Sequence, residues 1–68
     1  MSVCRTIDLI GTSTTSWEDA AAGAIKTASN SLRDLRIAEV VEQDIHIEDG
    51  ALTYRTKLRL SFKYESAD

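Results

Sequence analysis

From Val3 to Leu9 apolar and polar residues alternate weakly, with Val3, Ile7 and Leu9 on one side and Cys4, Thr6 and Asp8 on the other, which predicts a strand ending at Gly11. The hydroxyl-rich run GTSTTS follows. Within it, Ser16 stands three residues before Asp19, the spacing of a capping box, so a helix is expected from Trp17. Trp17, Ala20, Ala21, Ala24, Ile25, Ala28, Leu32 and Leu35 then recur at three- and four-residue intervals, one apolar stripe on an amphipathic helix. Alanine dominates that stripe, so the helix axis can lie close to a sheet wrapped around it. Gly23 costs about 1 kcal/mol of helix propensity, and a tight approach is expected there.

At Ile37 the period changes to two. Ile37, Glu39, Val41, Gln43, Ile45 and Ile47 share one side, and Ala38, Val40, Glu42, Asp44 and His46 the other, so both faces of this second strand are mixed. Such a strand is expected to meet different neighbours along its length, other subunits included. Glu48-Asp49-Gly50 reads as a hairpin turn. The last strand is the clearest element: Leu52, Tyr54, Thr56, Leu58, Leu60, Phe62 and Tyr64 point one way, and Thr53, Arg55, Lys57, Arg59, Ser61 and Lys63 the other. The expected fold is α+β in the order β-α-β-β, a three-stranded antiparallel sheet wrapped around one helix, as a single domain spanning 1–68.

Length sharpens this picture. A chain of 68 residues buries only about 60% of the surface its unfolded form exposes, so its own core is marginal. Cys4, the sole cysteine, cannot close an internal disulfide, and Cys4 with His46 falls two ligands short of a structural zinc site. Self-association is the remaining supplement.

Charge and candidate chemistry narrow the function. Eleven acidic against eight basic residues give a net charge of −3, which points away from nucleic acid, whose binders carry a basic surplus. No apolar run approaches the roughly 20 residues of a membrane helix, and the start of the chain lacks a signal-peptide layout, so a cytoplasmic protein without a membrane partner is expected. His46 reads as a surface residue rather than a general base, and Ser13 and Ser16 have no histidine partner in the sequence pattern. Gly11 stands alone rather than in a phosphate loop, and no catalytic role is expected for any of these residues. The acids Glu39, Glu42, Asp44, Glu48 and Asp49 cluster within eleven residues. They either pair with Arg55, Lys57, Arg59 and Lys63 across the hairpin, or gather calcium where symmetry brings copies together.

The segments IGTS, SWEDA, AEVVEQ, EDG and TYRTKLRLSFKY, in this order from Val3 to Tyr64, resemble the dodecins. The resemblance implies twelve copies closed into a hollow shell that binds a small ligand, in the best-known members a flavin such as riboflavin or FMN, without catalysis. In flavin-binding members a tryptophan immediately before the AEV segment stacks on the flavin ring, and a glutamine on the last strand hydrogen-bonds its polar edge. The matching positions here are Ile37 and Arg55, with Gln43 as a further candidate contact, so the implied flavin site is degenerate. An aliphatic side chain offers no ring to stack on, and arginine only donates where glutamine donates and accepts. Trp17 matches the tryptophan of the family's helix start and is expected to pack in the core. The aliphatic Ile37 together with TYR on the last strand resembles the branch called calcium dodecin, and Glu42 and Asp44 are the candidate metal ligands.

Overall fold

A computed structural model describes residues 3–64; the two residues before them and the four after, and the side chain of Tyr64, lie outside the described part. The elements are β1 (Val3–Ser13), α1 (Trp17–Ser29), β2 (Leu35–Glu48) and β3 (Ala51–Tyr64). The strands form one antiparallel sheet in the order β1-β3-β2, so β3, the strand with the cleanest alternation, takes the centre.

Local chemistry accounts for the boundaries. Ser16 caps α1, its hydroxyl accepting the Asp19 amide at 3.0 Å. The reciprocal half of the box is replaced: the Asp19 carboxylate instead accepts the Ser13 hydroxyl at 2.7 Å, which ties the end of β1 to the helix start and carries β1 two residues past the expected stop at Gly11. α1 ends at Ser29, earlier than the apolar stripe suggests. Leu32 lies in the following turn, its amide bonded to the Ala28 carbonyl at 2.8 Å, and Leu35 already belongs to β2, opposite Phe62. Both still pack against the core, which is why they mimic helical spacing. Asp49 and Gly50 have φ of 50° and 79°. Positive φ at both central positions is the requirement of a type I′ two-residue hairpin.

The close approach between helix and sheet falls at Gly11, not at Gly23. A Cβ at Gly11 would collide with the Ala20 carbonyl and stand 3.0 Å from the Ala24 Cβ, whereas one at Gly23 meets nothing within 4 Å. α1 therefore rests its alanines on the bare backbone of β1.

Two irregularities in β2, between Leu35 and Ile37 and between Val40 and Glu42, sort its mixed pattern. Each inserts a residue, Arg36 or Val41, that has no partner in the ladder, and so shifts the in-out parity by one. The helix side of β2 becomes Leu35, Ala38, Val40, Gln43, Ile45 and Ile47, opposite Phe62, Leu60, Leu58, Thr56, Tyr54 and Leu52. The outer side becomes Ile37, Glu39, Glu42, Asp44 and His46, opposite Ser61, Arg59, Lys57, Arg55 and Thr53.

The core is small: Ala20, Ala28, Leu58 and Leu60 are its buried apolar residues, with Thr56 buried among them. Full burial of two leucines is worth about 3 to 6 kcal/mol, little for a whole domain. α1 leans over β1 and β3, and at about 1.5 Å per residue its 13 residues cover about 20 Å of a hairpin whose strands run about 46 Å. The chain is correspondingly long, 54 × 20 × 14 Å, and Val40, Ile45, Ile47 and Leu52 on the helix side of the hairpin remain exposed, Ile47 at 69%.

Candidate ligand site

The outer face of the sheet is a charge ladder. Asp8 of β1 and Glu39, Glu42 and Asp44 of β2 flank Arg55, Lys57 and Arg59 of the central strand, as the pairing registers require. Arg59 donates to both oxygens of Asp8, at 3.0 and 3.4 Å, and Arg55 to both oxygens of Asp44, at 2.6 and 2.7 Å. Hydrogen bonds from the two guanidinium groups hold the Asp8 and Asp44 carboxyls below their ordinary pKa, a larger effect than the opposing desolvation, and raise both arginines in turn. The hairpin pairing expected from the sequence is thus present in one bidentate bridge, Asp44–Arg55; the other joins β3 to β1 through Asp8, an acid outside the expected cluster.

On this face Ile10, Glu42, Asp44, Arg55 and Lys57 enclose a cleft of about 140 Å³. The candidate metal ligands Glu42 and Asp44 meet there, and so does Arg55. Lys57, opposite Glu42, is one of the cations expected across the hairpin; Ile10 from β1 was not among the sequence candidates, and the β1–β3 register that sets it opposite Lys57 is a non-local pairing with no local marker.

Ile37 and Gln43 stand apart. Ile37 lies on the same outer face, 66% exposed, but opposite Ser61 while Arg55 is six residues further along β3. At about 3.3 Å per residue that is roughly 20 Å, more than one flavin ring system spans, so the two positions meet one ligand only if different copies supply them. Gln43, opposite the buried Thr56, is on the helix side of the sheet. Trp17 is engaged where α1 begins: its indole N–H donates to the Asp44 carbonyl at 3.1 Å, its own carbonyl accepts the Thr56 hydroxyl at 3.1 Å, and its ring meets Tyr54 edge-on at 5.2 Å. That network is structural and fixes the backbone under the cleft.

For a hard cation the donors fit in kind but not in number. Calcium takes six to eight oxygens. Glu42 and Asp44 offer four at most, and no group of three or more potential ligands occurs among the described residues. Among the described residues, one chain does not by itself supply a calcium coordination shell. A second concavity, a mainly apolar groove of about 660 Å³ between β1 and α1 lined by Ile7, Leu9, Ala20, Ala24, Ala28 and Leu32 among others, carries no ionisable group to hold a cation.

A lone helix laid across part of a three-stranded antiparallel sheet, with a projecting hairpin whose apolar residues stay exposed, defines a small α+β protein with more apolar surface than one chain covers. The dodecin family profile matches residues 3–65, and the chain belongs to the dodecin family. It is 53% identical over 68 residues to the calcium dodecin of Mycobacterium tuberculosis, covering 98% of this chain and 96% of that protein. The crystal structure of that calcium-chelating antigen, described with a novel calcium-binding site, superposes with a TM-score of 0.88 at 50% identity over 98% of this chain and 97% of the other. The dodecin from Streptomyces coelicolor gives a TM-score of 0.91 at 31% identity, covering 97% and 96% of the two chains.

Proposed function

We propose that this chain is the subunit of a closed homododecamer that binds calcium without catalysis, with Glu42 and Asp44 as its contribution to each metal site and copies around symmetry axes supplying the remaining oxygens. The observation that carries this reading is the cleft in which both carboxylates sit together on the outer face. The similarity to a relative called calcium dodecin supports the choice of ion. The uncovered Val40, Ile45, Ile47 and Leu52 support assembly, because a marginal core gains most by burying such residues against another copy. A flavin is the less favoured ligand: Ile37 has no ring to stack, and Arg55 is already engaged by Asp44.

Three measurements on the purified protein test this. Native mass spectrometry should give twelve subunits, and calorimetry should show saturable calcium binding that Glu42→Gln and Asp44→Asn weaken. No heat at millimolar calcium sinks the metal reading. Riboflavin and FMN should keep their fluorescence on titration; strong quenching at micromolar protein transfers the ligand assignment to flavin.

A further inference from the structure

Two apolar surfaces of this chain are left uncovered, and they differ in shape. One projects. Trp17, the first residue of α1, sits at Asp44 and Tyr54, and past that point the hairpin runs on with Ile45, Ile47 and Leu52 exposed on its helix side. The other is hollow. The groove of about 660 Å³ between β1 and α1 has Ile7 and Leu9 on one wall and Ala24, Thr27, Ser31 and Leu32 on the other, and alanine is too short to fill it. The two do not meet within one chain, because the groove follows β1 and α1 away from Trp17 while β2 lies at the opposite edge of the sheet.

Resting on the assembly reading above, we infer that the hairpin end of one copy lies in the β1–α1 groove of the next. Volume fits: truncating one leucine leaves a cavity of about 150 Å³, so the groove has room for about four aliphatic side chains and takes Ile45, Ile47 and Leu52 together. Charge sets the direction. The turn at the hairpin end carries Glu48 and Asp49, while the Leu32 end of the groove continues into Arg33-Asp34-Leu35-Arg36, net positive, with neither arginine in an ion pair among the described residues. The acidic turn therefore lies at that end, with Ile47 beside Thr27 and Ser31. Two hairpins packed on each other would leave both grooves empty, whereas a hairpin in a groove covers both apolar surfaces with one contact. Such a contact is head to tail. Each copy gives a hairpin and receives one, so the contact repeats around a ring instead of stopping at two copies.

Disulfide trapping in the assembled protein tests the contact, in a Cys4→Ser background because Cys4 is the sole native cysteine. Ile47→Cys is combined with Thr27→Cys or with Ser31→Cys, all three positions being exposed in a single chain, and a disulfide forms only where two Cα atoms come within about 4.4–6.8 Å. After oxidation with diamide, at least one of the two double variants is expected to run as covalent oligomers larger than a dimer on a non-reducing denaturing gel, and each single variant as a monomer. Ile47→Asp, which puts a charge into an apolar groove, is expected to lose assembly by native mass spectrometry, while Thr53→Asp, which adds the same charge to the other side of the same hairpin end, keeps it. Twelve subunits with neither mixed crosslink, crosslinking of Ile47→Cys to itself, full assembly of Ile47→Asp, or an equal loss in Thr53→Asp overturns the inference and leaves the dodecamer standing. Mixed crosslinks in an assembly of another size uphold the inference and overturn the dodecamer. A parent that stays monomeric overturns both.

Discussion

Replacing Gly11 with alanine tests how the helix is seated on the sheet. The added Cβ would overlap the Ala20 carbonyl oxygen and stand 3.0 Å from both the carbonyl carbon of Ala20 and the Ala24 Cβ. Two of those three atoms are backbone, in the first turns of a helix tied at its N-terminus by Ser16, Trp17 and Thr56, so no rotamer change relieves the overlap. α1 must lift off β1, and overpacking of this kind costs about 1–3 kcal/mol. We take about 3 kcal/mol, the upper end of that range, because backbone rather than side chain must move. At roughly 4–8 °C per kcal/mol for a domain of this size, the melting temperature should fall by about 12–24 °C. Gly23→Ala is the internal control: it meets nothing within 4 Å and replaces a mid-helix glycine by the best helix former, so it should stabilise by about 1 kcal/mol. Trp17, the only tryptophan, reports both transitions by fluorescence. Equal melting temperatures for Gly11→Ala and the parent, or a larger loss in Gly23→Ala, would refute the placement of the close approach.

Other substitutions and conditions follow from the same contacts. Thr56→Val keeps the shape of a buried side chain but removes its hydroxyl bond to the Trp17 carbonyl; a loss of about 1 kcal/mol is expected, and an unchanged denaturation midpoint would count against that bond. Asp8 and Asp44 have lowered pKa values when folded, so the stability they contribute is complete above the unfolded carboxylate value of about 4 and is lost as pH falls through the folded values. Melting temperatures scanned downward from pH 6 should therefore drop less steeply below about pH 4 for the Asp8→Asn, Asp44→Asn double variant than for the parent; parallel curves would contradict the pairing. Ile37→Trp should produce flavin quenching that the parent lacks if the position faces its symmetry mate as the family resemblance implies; the absence of any gain would mean that Arg55 or an altered geometry blocks the site, and would remove the last support of the flavin reading.

What could be read from the sequence was whatever depends on neighbours close along the chain. Ser16 before Trp17, Asp49-Gly50 between two alternating runs and the strict alternation from Leu52 to Phe62 each encode a local backbone state, and each is found as expected. The faces of β2 were not legible, because a bulge at Arg36 or Val41 is an ordinary residue whose only distinction is the lack of a partner on β3. Without it, Ile37, Ile45 and Ile47 fall on one side. With it, Ile37 is left outside among acids. The helix stripe was overextended for the reverse reason: Leu32 and Leu35 reach the core from a turn and a strand while keeping helical spacing. Gly11 and Gly23 could not be ranked by composition, since only the crossing of α1 over β1 decides which glycine is crowded. For the candidate site, Glu42, Asp44, Arg55 and Lys57 come together through the hairpin, whereas Ile10 enters the cleft through a pairing between the two ends of the chain.

The order of charges across the outer face, Arg59 between Asp8 and Glu39, then Lys57 between Ile10 and Glu42, and Arg55 between Thr12 and Asp44, is a statement about range. Four carboxylates, Asp8, Glu39, Glu42 and Asp44, face three cations, Arg55, Lys57 and Arg59, so the net charge of these rungs is small and their alternating part largely cancels beyond contact distance. An ion or a second copy of the chain therefore gains little guidance until it is within a strand spacing of the surface, about 4.8 Å. Two such faces brought together in line would repel, and a sideways displacement by one strand would turn that repulsion into attraction. The face discriminates by register at contact, and its encounter rates should hardly change between low and physiological salt.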